Sequence, residues 1–278
     1  MKHILIPVDF SPEAISATRY ALEFASHSAS ELVLLTVFEA PLLPPASTFV
    51  SREMTEENAA DQMVKSAVDR LKAFAEEHIG NRVPTRFVAI EGKPTSAIAQ
   101  FTKDHNVDLV VLGTKGATWW GDRFQGTVSS ELMRRSDVPC LIIPAGVSWN
   151  GLKNWVFATE LRSDETPYFA EFTDWGDRFD AHLTYLHIHR KGGIEHEPHP
   201  ALNAFLEGRQ RGNSGQVRIE GDHVQAALEQ FIDEQHQDLL AVTTQTHTLL
   251  EQLFHRSLAR HEALHGKVPL MVFHRKRD

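Results

Sequence analysis

Three glycines and one threonine follow a strongly apolar segment at a spacing that suits a bound polyphosphate. Gly113 and Gly116 come directly after Leu109–Leu112, and Gly126-Thr127 follow after nine intervening residues. Gly113 lets the chain turn sharply away from the segment, and Gly116 permits a positive φ angle. Gly126 has no Cβ, so an anion can approach the backbone, and Thr127 adds a hydroxyl beside the free N–H groups of a helix start. The spacing therefore predicts a phosphate-binding loop.

Further candidate ligand contacts lie near this loop or in it. Asp9 ends the first apolar segment, where its carboxylate can accept hydrogen bonds from a ribose or an adenine edge. Open α/β sheets bind ligands at the carboxyl ends of their strands, where Asp9 and Gly113 are both expected to lie. Lys115 and Arg123 are candidates to neutralise phosphate charge. The alternative explanation is that the glycines belong to an ordinary βα turn.

The elements that would position these residues alternate along the chain. Short apolar segments are followed by segments of helical periodicity, which is typical of βαβ units on a parallel sheet. Ser11 can cap the first helix, and Pro12 suits its first position. In the first half, strands are predicted over residues 4–8, 32–37, 86–90, 108–113 and 140–143, with helices from Ser11-Pro12, over about 55–78 and 96–103, and over 127–135.

The second half of the chain repeats the first. Equivalent residues are separated by 130 positions near the end of each half and by 151 near its start, so the second copy has a connection 151 − 130 = 21 residues shorter. Two constant offsets predict an internal duplication into domains 1–147 and 148–278. The aligned pairs are Asp108 with Asp238, Val138 with Val268, Asp9 with Glu160, and Thr36 with His187.

The glycine spacing resembles the ATP-binding signature of the universal stress protein family. The ends of the first two predicted strands resemble the same family. The resemblance implies that Asp9 and the Val37 main chain hold adenosine, and that the glycines and Thr127 cradle the phosphates. The candidate ATP-binding residues are Pro7, Val8, Asp9, Val37, Gly113, Lys115, Gly116, Arg123, Gly126 and Thr127.

The resemblance also implies an architecture. Over nearly the whole chain it indicates two flavodoxin-like domains of the adenine nucleotide α-hydrolase type, each an open five-stranded parallel sheet flanked by helices. The last strand of each domain, 140–143 and 270–273, would pair antiparallel and join the domains as an internal pseudo-dimer. Whether such a chain is a monomer or a homodimer stays open.

The second half has lost the phosphate chemistry. Thr243, Thr246 and Arg256 stand where the three glycines are expected, and Glu160 replaces Asp9. Threonine resists positive φ, so this half is predicted not to bind ATP in the family's manner. A site for another acidic ligand at Arg256 is one alternative.

Histidine is concentrated in the second half, which carries 12 of the 16. His187 and His189 lie two apart on a predicted strand and therefore on one face, and 195–199 contains two more. Imidazoles with carboxylates can bind zinc or nickel, although neither spacing is a known metal motif. A metal site is thus an alternative to scattered surface histidines.

Composition narrows the partners. A formal net charge of −9 without a long Lys/Arg run argues against nucleic-acid and anionic-membrane binding. Cys140 is the single cysteine, which excludes an intrachain disulfide. The apolar run at the N-terminus is too short for a signal-peptide core, so the expected location is the cytoplasm.

Nothing in the sequence predicts fast catalysis. It contains no nucleophile elbow and no Walker lysine. The favoured hypothesis is a stress-response regulator that binds ATP, with AMP, ADP or accompanying Mg²⁺ left open, and that acts on an unidentified protein partner. The alternatives are a nucleotide-free scaffold and a slow ATPase or adenine-handling enzyme.

Overall fold

The computed structural model describes residues 1–39, 56–114, 128, 131–132, 136–190, 200–209, 213–221, 223–243 and 268–274. The chain divides into two compact units, residues 1–112 and 113–278. In the described helices of at least 18 residues, no stretch is apolar enough to cross a membrane.

The first unit is built on a parallel sheet of four strands in the order β3-β2-β1-β4. Its strands are continuously apolar because both faces of such a sheet are covered, and Ile4, Leu5 and Ile6 are fully buried. The elements are β1 (His3–Pro7), α1 (Pro12–Ser28), β2 (Glu31–Phe38), α2 (Glu56–His78), β3 (Thr85–Glu91), α3 (Pro94–Asp104) and β4 (Leu109–Gly113).

Helix α1 begins and ends as its sequence predicts. Ser11 is the N-cap in extended conformation, and its Oγ accepts a hydrogen bond from the Ala14 N–H at 3.2 Å. Ala29 closes the helix in the left-handed region, where its N–H bonds to the Ala25 carbonyl. The predicted apolar face of α1 is confirmed as buried, and it consists of Ala14, Ala17, Ala21, Phe24 and Ala25.

The second unit contains a sheet in the order β5-β10-β9-β6-β7-β8. Strands β6 to β10 are parallel to their neighbours within this group, whereas β5 and β10 pair antiparallel with Leu270 opposite Ile142. The antiparallel pairing of the last strands is therefore present. The elements are β5 (Cys140–Ile143), β6 (Asn154–Thr159), a 3-10 turn (Ser163–Glu165), α4 (Thr166–Asp177), β7 (His182–Arg190), α5 (Pro200–Arg209), β8 (Ser214–Gly221), α6 (Val224–Glu234), β9 (Leu239–Thr243) and β10 (Leu270–Phe273).

Aromatic side chains fill the core between α4 and the sheet of the second unit. The ring centroids of Phe157 and Phe169 are 4.7 Å apart, as are those of Phe169 and Tyr185. The expectation that the aromatic stripe in this region is core is confirmed, since its four members are at most 5% exposed. They are Phe169, Phe172, Trp175 and Phe179.

The two units share unusual backbone positions at the offsets found in the sequence. Residues other than glycine rarely adopt positive φ, so such positions mark local turns well. Three pairs of them are separated by 151, 151 and 130 residues. They are Phe10 (64°) with Leu161 (59°), Ala29 (51°) with Asp180 (49°), and Asn106 (47°) with His236 (50°).

An aspartate fixes the first strand at the amino edge of each unit in the same way. In the first unit, Asp108 accepts the His3 N–H at 2.8 Å, and in the second, Asp238 accepts the Asn154 N–H at 2.8 Å. Both offsets, 130 and 151, are thus present in one hydrogen bond. These correspondences support the predicted duplication, while a domain boundary between residues 147 and 148 stays a prediction.

Candidate functional site

The carboxyl edge of the first unit is formed by the ends of parallel strands. Pro7 is the last residue of β1, and the Val8 N–H extends the ladder by one further bond to the Leu35 carbonyl at 2.8 Å. Val8 is only 3% exposed. Because β1 also lies parallel to β4, both strands direct their carboxyl ends to the same edge.

Asp9 stands in the turn that leads from this edge into α1. Its Oδ1 accepts hydrogen bonds from the Ser11 N–H, at 3.0 Å, and from the Ser11 hydroxyl. Both bonds end on the same oxygen, so Oδ2 is the one that can accept from a ligand. Asp9 is exposed, and the turn at Phe10 has a φ of 64°.

Phe10 is held in this strained conformation by α2. The Arg70 guanidinium lies 4.3 Å from the centroid of the Phe10 ring, and the Phe74 ring meets it edge-on at 5.7 Å. A cation over an aromatic face is attracted by the ring quadrupole. These contacts fix the turn and with it the position of the Asp9 carboxylate.

The main chain of Val37 faces the side of β2 from which β1 has departed. In a parallel ladder, alternate residues direct both N–H and C=O to the same neighbour. Leu35 bonds to Val8 on the β1 side, and Phe38 accepts the Gly92 N–H on the β3 side. Val37 therefore points toward β1, at a level where the chain has already turned away at Phe10. Its carbonyl is placed to meet a ligand.

The structure describes only part of the predicted phosphate loop. Gly113 is the last residue of β4, as expected for the start of the loop. The following Thr114 is buried, and its N–H donates to the Ile143 carbonyl at 3.1 Å. The other predicted loop residues lie outside the described residues, namely Lys115, Gly116, Arg123, Gly126 and Thr127, together with Trp119, Trp120 and Asp122.

Comparison with protein families identifies the chain. The model of the "Universal stress protein family" matches residues 1–144, which is half of the sequence. The chain belongs to the universal stress protein family.

Individual members of this family are similar to the chain at low identity. Universal stress protein MJ0577 of Methanocaldococcus jannaschii is 24% identical over 152 residues, which are 51% of this chain and 94% of that protein. A universal stress protein structure from Archaeoglobus fulgidus covers 99% of this chain and 98% of its own, at 15% identity and a TM-score of 0.69. This likeness shows the fold.

A solved family structure from Arabidopsis thaliana has AMP bound. It is 19% identical and covers 52% of this chain and 92% of its own, with a TM-score of 0.35. At that score the likeness carries no argument about the ligand of this universal stress protein.

The second unit holds the equivalent turn differently. Here the Glu165 carboxylate is 1% exposed and accepts hydrogen bonds from the Thr159 hydroxyl at 2.7 Å and the Arg162 N–H at 2.9 Å. Burial raises the pKa of Glu165 above its ordinary value. Glu160, which replaces Asp9, donates its own N–H to Glu165 at 3.4 Å. Glu165 therefore does in this half what Asp9 does in the first.

Sequence reasoning did not single out Glu165. An acidic residue at the start of a helix usually means only a favourable charge near the positive helix end. The available signal was its place three residues after Arg162, where a glutamate can reach back to the main chain of the capping residue. That Thr159 also bonds to it could not be inferred from spacing.

His187 lies beside this network on β7. Its Nδ1 is 2.9 Å from the Thr159 carbonyl, and its ring is stacked with that of His189 at 6.4 Å. Burial lowers the pKa of His187. Among the residues that the structure describes, no group of three or more His, Cys, Asp or Glu side chains could hold a metal ion. His196 and His199 lie outside them, so the metal alternative finds no support here.

Proposed function

We propose that this universal stress protein binds ATP through its first half and acts as a nucleotide-controlled regulator of a stress response. Asp9 and the Val37 main chain hold the adenosine, beside Pro7 and Val8. Main-chain N–H groups around Gly113, Gly116 and Gly126 surround the phosphates, with the Thr127 hydroxyl. Lys115 and Arg123 offset phosphate charge, with or without Mg²⁺.

One observation carries the proposal. The Val37 carbonyl faces past the end of β1, and the exposed Asp9 carboxylate follows that strand at the same sheet edge. An acceptor on a main chain suits the exocyclic amine of adenine, and a carboxylate suits the hydroxyls of ribose. This pair lies where open α/β sheets bind their ligands.

The energetics require both ends of the ligand. A helix N-terminus contributes about 0.3–1 kcal/mol per charge, whereas micromolar binding needs about 8 kcal/mol. Several N–H bonds to the phosphates and burial of the base must supply the difference. The second half lacks the three glycines, so one ATP is expected for each chain.

A valine at Gly126 tests the phosphate cradle. Its side chain would occupy the space of the phosphates, so Gly126→Val should remove ATP binding measured by isothermal titration calorimetry, with and without Mg²⁺. Gly215→Val is the matched control, because a Cβ at Gly215 in β8 meets nothing within 4 Å. It should leave ATP binding unchanged.

Two results would reject the proposal. Unchanged ATP affinity in Gly126→Val would show that the glycine does not border the phosphates. No ATP binding by the unmodified chain would favour the nucleotide-free scaffold instead. Parallel titrations with ADP and AMP identify the preferred nucleotide.

A further inference from the structure

We infer that the second unit has a ligand site of its own for an uncharged vicinal diol, at the carboxyl ends of β6 and β7. The acceptors are the Glu160 carboxylate, the Nε2 atom of His187 and the main-chain carbonyl of Ile188. All three belong to the second unit, so the inference does not depend on ATP binding by the first half.

The Glu160 carboxylate is released from the local task that its counterpart performs. In the first unit, Asp9 bonds to Ser11 and thereby holds the turn. In the second unit, Glu165 takes over that task by accepting the Arg162 N–H. The Glu160 carboxylate keeps only a long ion pair to the Arg162 guanidinium, at 4.0 Å, and its side chain is 21% exposed. A partly buried carboxylate in this position can accept from two hydroxyls.

His187 supplies an acceptor that is fixed by its tautomer. The residue is 8% exposed, and its Nδ1–H donates to the Thr159 carbonyl at 2.9 Å. The neutral ring must then carry its lone pair on Nε2. Burial lowers the pKa of His187, which keeps the ring neutral at physiological pH. Within the described ranges, Nε2 has no hydrogen-bond partner.

The neighbourhood of His187 contains a second imidazole in need of a partner. His189 lies on the same face of β7, and its ring is inclined by 18° to that of His187. Its Nδ1 is buried and has no partner among the described residues. A buried polar atom is normally hydrogen-bonded, so an orphan beside Nε2 indicates that something polar is missing.

The Ile188 carbonyl repeats the device seen at Val37. The His182 N–H bonds to the Lys153 carbonyl at 2.7 Å, so even-numbered residues of β7 face β6. The last paired residue of β6 is Thr159, opposite His187, and the chain turns away at Leu161 with a φ of 59°. Ile188 therefore faces past the end of β6.

Charge and space at this edge exclude a phosphate and favour an uncharged ligand. Thr243 is fully buried at the end of β9, where a phosphate loop would begin with glycine. The carboxylates of Glu160 and Glu165 are balanced by Arg162 and by Arg218, which lies opposite His187 in β8. Three acceptors in a region without net charge match the hydroxyl donors of a sugar or a ribonucleoside.

The test is equilibrium dialysis of the full chain with labelled adenosine, in the presence of saturating ATP to compete at the first half. Adenosine should bind, and 2′-deoxyadenosine should bind about tenfold more weakly because one hydroxyl is lost. Labelled ribose distinguishes the sources: ribose binding as tight as that of adenosine indicates a free sugar, and weaker binding indicates a nucleoside.

Variants locate the site. Glu160→Gln should weaken adenosine binding about tenfold or more, since a charged acceptor is lost from a partly exposed position. Asp9→Asn is the matched control in the first unit and should leave it unchanged. His187→Asn preserves a donor toward Thr159 but removes Nε2, and should also weaken binding. Absence of adenosine and ribose binding, equal binding of 2′-deoxyadenosine, or loss of binding only in Asp9→Asn would overturn the inference.

Discussion

Asp9 and Glu160 occupy equivalent positions 151 residues apart, but the contacts around them differ. Asp9 holds its own turn through Ser11, whereas the turn at Glu160 is held from below by the buried Glu165. A single added methylene would not account for this change. The difference lies in which carboxylate satisfies the N–H groups of the turn, and it leaves Glu160 available for a ligand.

Cys140 illustrates a prediction that the structure sharpens at the residue scale. The thiol was expected to be inert packing, and it is fully buried in β5. Burial raises its pKa from the ordinary 9.0 to about 12, so the protonated form persists through neutral pH. Ellman's reagent should therefore leave the native chain unmodified at pH 8 for hours and react at once in guanidinium. Rapid modification of the native protein would contradict this placement.

At the scale of single elements, the turn between β1 and α1 joins stability to the ligand site. The Ser11 hydroxyl accepts from Ala14 and donates to Asp9, so one side chain caps the helix and orients the carboxylate. Ser11→Ala should lower the free energy of unfolding by about 1 kcal/mol in urea titrations, the usual value for a lost N-cap.

The matched control for this substitution lies in the same helix. Ser26 is exposed near the end of α1, and its hydroxyl donates only to the Leu22 carbonyl within the helix. Ser26→Ala should change the free energy of unfolding by less than about 0.5 kcal/mol. Equal effects of the two substitutions would show that Ser11 is not a cap.

The elements themselves could largely be predicted from the sequence, because strands covered on both faces are continuously apolar. Strand β5 has the predicted bounds, and β1 begins and ends one residue before the predicted segment 4–8. The shift at its end is small in physical terms, since the Val8 N–H still bonds to Leu35. Periodicity cannot specify the last bond of a ladder.

Contacts within the candidate site were less accessible to prediction. The placement of Asp9 and Val37 at one edge follows from parallel strands, and the structure brings their ends together as expected. The direction of the Val37 carbonyl depends on register, and the burial of Glu165 depends on packing. Neither is encoded in a local pattern of residue types.

At the scale of the whole molecule, the two offsets suggest one ancestral fold with two present uses. The same turns and the same aspartate clamp recur in each unit, while the phosphate glycines remain only in the first half. This asymmetry predicts a fixed stoichiometry. A chain with two working phosphate loops would hold two nucleotides, and a relic in both halves would hold none.

The nucleotide content of the purified protein tests this account most directly. The full chain is saturated with ATP, freed of excess by rapid gel filtration, denatured and analysed by anion-exchange chromatography against protein concentration. We predict close to one adenine nucleotide per chain, and none from Gly126→Val handled in the same way. Two nucleotides per chain, or one that persists in Gly126→Val, would contradict the assignment of ATP to the first half.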